Sequence, residues 1–273
     1  MTIHNEDCLA TMERMEPGSV DMILTSPPYD DIRDYKGYSF DFEGVAAGML
    51  RILKEGGVGV WVVADRIKDF DESGTSFTQG LYFQKIGFKR RTMIYEKSYP
   101  PNIGDPEFYG KVFEYIHVLS KGRPGTRHII KDRPVSNAGQ VVRIKKFRDK
   151  RTGKMMTAPA RTDADGNRLR IPPFGRRFDV WRYNLKQANV QTDKIAFNHP
   201  AIMPEPLAED MVRTWSDPGD LVYDPFMGSG TTAKAAIRLG RRWVGSEISP
   251  AYCDLIRKRM GPPSLPEGQE TLA

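Results

Sequence analysis

Two short apolar runs, each leading straight into a loop rich in proline or glycine, constrain this 273-residue chain more than any other feature. Val20-Asp21-Met22-Ile23-Leu24 runs into Thr25-Ser26-Pro27-Pro28-Tyr29, and Leu221-Val222-Tyr223 runs into Asp224-Pro225-Phe226-Met227-Gly228-Ser229-Gly230-Thr231-Thr232. Apolar runs of this length that end at a breaker read as buried strands. Ligands of open α/β sheets collect at the carboxyl ends of the strands, so loops from distant parts of the chain can line one crevice. The two stretches therefore predict a single shared site.

The rest of the chain fits such a sheet. Val20–Leu24, Val58–Val63, Thr92–Tyr95 and Tyr115–Leu119 are rich in β-branched and aromatic residues and read as strands. A helix is expected over Phe40–Leu53, stopped by Lys54-Glu55-Gly56-Gly57, and another over Thr75–Ile86, stopped by Gly87. Strand and helix in alternation imply a mostly parallel α/β sheet.

From Lys121 the periodicity fades into Gly, Pro, Arg and Lys, with a basic strand expected over Val141–Phe147. Order returns at Asp179-Val180-Trp181. Pro204-Glu205-Pro206 opens a helix with Leu207, Met211 and Trp215 on one face, Thr231–Leu239 is a further helix ended by Gly240, and Trp243-Val244-Gly245 is the next strand. The division expected is 1–121 and 179–260 as two halves of one sheet domain, 122–178 as an insertion, and 261–273 as a loose tail.

Charge singles out the insertion. Residues 121–198 hold 20 Lys and Arg against 6 Asp and Glu, whereas the remaining residues hold 21 against 29. An acidic body with one basic segment suits a polyanionic partner, with nucleic acid foremost. Cys8 and Cys253 are too few for a disulfide framework, and the four histidines show no metal-ligand spacing with them, so no structural metal is expected. No run of 18 apolar residues and no secretory leader is evident, which predicts a cytoplasmic protein with no membrane partner.

Gly228-Ser229-Gly230-Thr231-Thr232-Ala233 fits a glycine-rich turn opening a helix, and Glu247 follows Asp224 at the end of the next strand. An acidic residue there can accept from both ribose hydroxyls of a nucleoside cofactor, while the helix start offers free N–H groups to an anion such as a methionine carboxylate. No Gly-Lys-Ser/Thr follows, which argues against a Walker-type nucleotide site.

The proline-rich loop suits a planar amine. Methylating an exocyclic amine requires drawing its lone pair out of the ring, and acceptors at the Ser26 side chain and the Pro27 carbonyl can take its two N–H groups. Pro27 and Pro28 stiffen the loop, and Tyr29 is placed to stack on the base, which must be flipped out of a duplex to reach it. Methylation at cytosine carbon 5 would need a cysteine nucleophile, usually after proline. Cys8 follows Asp7 and Cys253 follows Tyr252.

These motifs together resemble the amino-group DNA methyltransferases dependent on S-adenosylmethionine, in the permuted beta-class order: catalytic motif, recognition region, cofactor motif. The resemblance spans about residues 4–260. It implies a Rossmann-like class I methyltransferase sheet with one reversed strand near Tyr115–Leu119. It implies catalytic roles for Ser26, Pro27, Pro28 and Tyr29, and cofactor contacts from Asp7, Cys8, Thr25, His199, Pro200, Asp224, Pro225, Phe226, Gly228, Ser229, Gly230, Thr231, Thr232, Glu247 and Ile248. Residues 122–178 become the target-recognition region, with Arg143, Lys145, Lys146, Arg148, Arg176 and Arg177 as candidate contacts to double-stranded DNA.

Enzymes of this kind often form homodimers. A restriction endonuclease partner is neither implied nor excluded. The longer stretch from Ser26 to Tyr35 resembles adenine-specific enzymes, making adenine N6 the expected target; serine at position 26 is commoner among cytosine-N4 enzymes, the alternative. Other readings are an inactive DNA-binding regulator of this fold, a methyltransferase for RNA or a protein amide, and a dinucleotide-dependent dehydrogenase.

Overall fold

The computed structural model describes residues 2–28, 40–97, 109–144, 146–183, 195–198 and 202–261. The described residues form two compact units, one of Met1–His128 with Asp179–Ala273 and one of Ile129–Phe178.

The first unit is built on eight strands: β1 (Thr2–His4), β2 (Val20–Thr25), β3 (Leu53–Val63), β4 (Lys89–Lys97), β5 (Phe113–Ser120), β6 (Val180–Tyr183), β7 (Leu221–Asp224) and β8 (Arg242–Ser246). Their order across the sheet is β1-β8-β7-β2-β3-β5-β4-β6. Neighbours run parallel except at β5, which is antiparallel to both β3 and β4. The reversed strand therefore spans Phe113–Ser120, where the sequence resemblance puts it.

Six helices are described: α1 (Cys8–Arg14), α2 (Phe42–Ile52), α3 (Thr75–Lys85), α4 (Glu205–Trp215), α5 (Thr231–Arg238) and α6 (Pro250–Met260). Met12 of α1, Val45 and Met49 of α2 and Phe83 of α3 share one buried cluster with Ile23, Trp61, Leu119 and Tyr223 of the sheet. Met22, Leu24, Val60, Val62 and Val222 alternate with those strand residues and are buried as fully, so the opposite face is also covered. Helix α4 packs against β2 and α5, and α5 against α6. Both faces being dry explains why β2 and β3 read as continuous apolar runs rather than as alternating ones.

The chain departs from expectation in several places. Lys54–Gly57 is not a free stop after α2 but a bulge within β3, between the pairs Val20 with Leu53 and Met22 with Val58. Strand pairing resumes immediately at Leu53, and Gly56 at φ +80° makes the bulge possible by adopting a left-handed conformation. Val141–Phe147 is not one strand. Val141 makes an isolated bridge to Arg170, and a separate strand, Lys146–Arg148, pairs with Met155–Thr157. Val141, Ile144 and Phe147 are all exposed there, so no buried apolar face holds the segment in a single register. Strand β1 and helix α6 carry weak sequence signals and emerge only in the structure.

The second unit holds 14 Lys and Arg against 4 Asp. It consists of small antiparallel pairs, Lys146–Arg148 with Met155–Thr157 and Arg133–Pro134 with Phe174–Gly175. It starts at Ile129 rather than Gly122, because Thr126 and His128 are bound into the first unit: Thr126 Oγ1 donates to Asp217 Oδ2 at 2.7 Å, and the His128 N–H donates to the Thr214 carbonyl at 2.8 Å.

Candidate active site

The pairing of β7 with β2, Val222 beside Met22 and Tyr223 beside Ile23, sets the ends of the two strands side by side. Asp224 thus meets Thr25 although 199 positions separate them, and the Thr25 hydroxyl donates to Asp224 Oδ1 at 2.7 Å. The same oxygen accepts from the Phe226 N–H at 3.0 Å. The Thr232 hydroxyl also reaches this carboxylate, and it lies 3.3 Å from the Leu24 carbonyl. One buried carboxylate thereby holds the end of β2, the first turn of the glycine loop and the start of α5.

Burial pushes the Asp224 carboxyl up to about 6, against the opposing pull of hydrogen bonds from Thr232, Thr25 and the Phe226 amide. Three donors thus face a carboxylate that is shut off from water. Ser26, Pro27 and Pro28 follow Thr25 directly, with Pro27 buried and Ser26 and Pro28 half-buried.

Glu247 closes the other side. Its Oε2 accepts from the Gly228 N–H at 2.9 Å and its Oε1 from the Ser249 N–H at 2.9 Å. Burial raises its pKa, and these backbone donors act against the rise. Its own N–H donates to the His4 carbonyl at 2.9 Å, and Asn5 Nδ2 donates to the carbonyls of Glu247 and Ile248 at 2.9 and 3.0 Å. Asn5 is a supporting residue that sequence spacing could not single out. Its partner lies at the opposite end of the chain.

The glycine loop has the form of a cradle. Gly228 and Gly230 sit at φ +52° and +83°, and Gly230 begins α5 with no side-chain cap, leaving first-turn N–H groups for a ligand. Pro225, Ser229, Thr231 and Thr232 are buried. The Phe226 ring stands edge-on to Phe40 and Trp61, with centroids 4.9 and 6.2 Å away. Ile248, just after Glu247, is 41 % exposed, an apolar surface beside a carboxylate.

Asp7 caps α1, accepting from the Leu9 N–H at 2.7 Å, and its side chain is exposed. Cys8 points into the core, where burial pushes its thiol up to about 12; burial raises Cys253 to about 11. Thiols held protonated by burial make poor nucleophiles. Tyr29, His199, Pro200 and Lys145 lie outside the described residues. In the second unit Arg143, Lys146, Arg148 and Arg176 are exposed, while Arg177 is half-buried and its Nε donates to Asp132 Oδ2 at 2.9 Å.

A parallel sheet with one reversed strand, a glycine loop facing an acidic residue on the next strand and a Ser-Pro-Pro loop beside them define an amino-methyltransferase of the class I fold. The DNA methylase profile for N6 and N4 enzymes matches residues 20–258, and the chain belongs to that family. It is 45 % identical over 252 residues to the orphan methyltransferase M.BamHII of Bacillus amyloliquefaciens, covering 89 % of each chain. Among solved structures it resembles the PvuII DNA methyltransferase described as cytosine-N4-specific, with TM-score 0.67, 17 % identity and coverage of 97 % and 87 %. It also resembles TTHA0409 of Thermus thermophilus, described as a DNA modification methylase complexed with S-adenosyl-L-methionine, with TM-score 0.56, 23 % identity and coverage of 94 % and 93 %.

Proposed function

We propose that this protein moves the methyl group of S-adenosylmethionine to the exocyclic amine of a base flipped from double-stranded DNA at a specific site. The observation that supports this reading is the Thr25 to Asp224 hydrogen bond, which sets the Ser-Pro-Pro loop beside the glycine loop.

The residues present suit the cofactor. Glu247 is held by two backbone N–H groups and keeps lone pairs on both oxygens for ribose hydroxyls. The positive-φ glycines let a ligand approach the backbone, and the uncapped start of α5 suits a carboxylate. Asp7 and Ile248 are the candidates for the adenine ring, with His199 and Pro200 on the methionine end. When bound, S-adenosylmethionine supplies an electrophilic methyl on a sulfonium centre.

The chain's own residues act on the amine. Ser26 and the Pro27 carbonyl accept its two N–H groups, favouring a pyramidal nitrogen with its lone pair free. Tyr29 stacks on the base and offsets part of the cost of flipping. The nitrogen lone pair would form the bond to the methyl carbon as the sulfur–methyl bond breaks, the sulfur would leave as a neutral thioether, and the nitrogen would pass one proton to water.

Two bases carry such an amine. Adenine N6 is supported by the likeness of Ser26–Tyr35 to adenine-specific enzymes; cytosine N4 is supported by the serine at position 26. The basic second unit is proposed as the recognition region, meeting phosphates and guanine edges through Arg143, Lys146, Arg148 and Arg176. Mass spectrometry of nucleosides from unmethylated DNA, treated with the protein and S-adenosylmethionine, tests the whole reading. N6-methyladenine or N4-methylcytosine names the base, and no modified nucleoside overturns it.

A further inference from the structure

Behind the glycine loop lies a cluster of charges around one buried carboxylate that the reaction chemistry does not account for. Glu205, the first residue of α4, is 2 % exposed. Its carboxylate meets Lys234 Nζ at 2.8 Å and Arg238 Nη1 at 3.0 Å, both from α5, and Arg259 Nη2 at 3.0 Å, from the last turn of α6. Arg238 Nη1 is shared with Glu209.

Arg259 differs from the other two cations. Its side chain is wholly buried, and its second terminal nitrogen, Nη1, donates to the backbone carbonyl of Ser229, inside the glycine loop. The planar guanidinium can present two N–H groups to two acceptors at once, which an ammonium cannot do with the same geometry. Helix α6 supports the loop at a second point. A Cβ on Gly230 would lie 3.2 Å from Ile256 Cγ1 and 3.5 Å from Met260 Cε, so the helix is packed directly against that turn.

We infer that Arg259 is a positioning residue for the cofactor loop, joining the Ser229 carbonyl to the Glu205 carboxylate at the start of α4. The fork fixes the plane of the 229–230 peptide and hence the direction of the N–H groups that open α5. It also ties the loop to α4, which follows His199 and Pro200, the residues proposed for the methionine end. Cofactor affinity is thereby set in part from the last turn of the final described helix. This rests on the cofactor reading above.

Arg259→Lys and Arg259→Met test the inference. The measurements are Kd for S-adenosylmethionine by calorimetry, steady-state KM and kcat, DNA affinity by fluorescence anisotropy, and thermal unfolding. Arg259→Lys keeps the charge but reaches one acceptor at a time, so its cofactor Kd and KM rise on the order of 10-fold while kcat falls less and DNA affinity holds. Arg259→Met weakens the cofactor further.

An unchanged cofactor Kd in folded Arg259→Lys overturns the inference. So does an equal loss of DNA and cofactor affinity with a lowered unfolding temperature, which marks a purely structural role. If Arg259→Met does not fold, Arg259→Lys decides alone; failure of both to fold assigns the residue to the core and also overturns the inference. Absence of cofactor binding in the unaltered protein would instead refute the cofactor reading itself.

Discussion

The hydroxyl of Thr25 donates to the carboxylate of Asp224 at 2.7 Å, joining the end of β2 to the end of β7. Both groups are buried, so the bond is shielded from water and its loss leaves a charge with one donor fewer. Thr25→Val is expected to lower kcat/KM on the order of 10-fold and to reduce the unfolding temperature, whereas Thr25→Ser retains most activity. Methyl-transfer assays beside thermal unfolding check both; full activity in Thr25→Val would refute a positioning role for the bond.

Asp224 also gives the protein a pH signature. Its folded carboxyl is raised from 3.8 to about 6, so between those values the folded chain holds a proton that the unfolded chain has released. This group's contribution to stability therefore declines as pH rises through that window and is level above it. Asp224→Asn should remove the decline. Chemical denaturation across pH 4 to 7, roughly the window set by this linkage, reads the difference between the two proteins.

Glu247 bridges the Gly228 and Ser249 amides with its two oxygens. Glu247→Gln presents one carbonyl where there were two acceptors and should weaken S-adenosylmethionine binding on the order of 10-fold to 100-fold, with DNA affinity intact. Calorimetric titration of the cofactor measures it, and an undiminished affinity would remove Glu247 from the cofactor site.

Ser26→Ala, and more strongly Tyr29→Ala, should slow methyl transfer while cofactor binding survives, because both residues are proposed to act on the flipped base. Single-turnover rates at saturating cofactor separate the two effects. Unchanged rates in both variants would discard the amine-site assignment.

In the second unit, Arg143→Ala and Arg148→Ala each remove an exposed cation. If each neutralises one phosphate, the slope of log Kobs for DNA against log salt becomes shallower by about one per substitution. Anisotropy titrations over a salt series provide the slope, and an unaltered slope would place the DNA contacts elsewhere.

Local chemistry alone determined the main strands and the helix over Thr75–Lys85, while the reversed position of Phe113–Ser120 came from the family resemblance. Apolar runs and glycine stops act within a few residues, and such signals are written directly in the chain. The bulge at Lys54–Gly57 was not legible, because whether a glycine pair ends a helix or kinks a strand depends on the partner strand. The same holds for β1, whose three residues become a strand only by pairing with β8.

The sequence by itself singled out two loops as candidates: a stiff Ser-Pro-Pro turn and a glycine turn with Glu247 placed after the next strand. Only the tertiary structure decided what holds them together. The pairing of β7 with β2 brings Thr25 to Asp224, and the packing around it brings Asn5 to the Glu247 carbonyl and Arg259 between Glu205 and Ser229. Those contacts join residues far apart in the chain, and a buried polar group selects its partner by the geometry of the packed core, which spacing along a sequence does not encode.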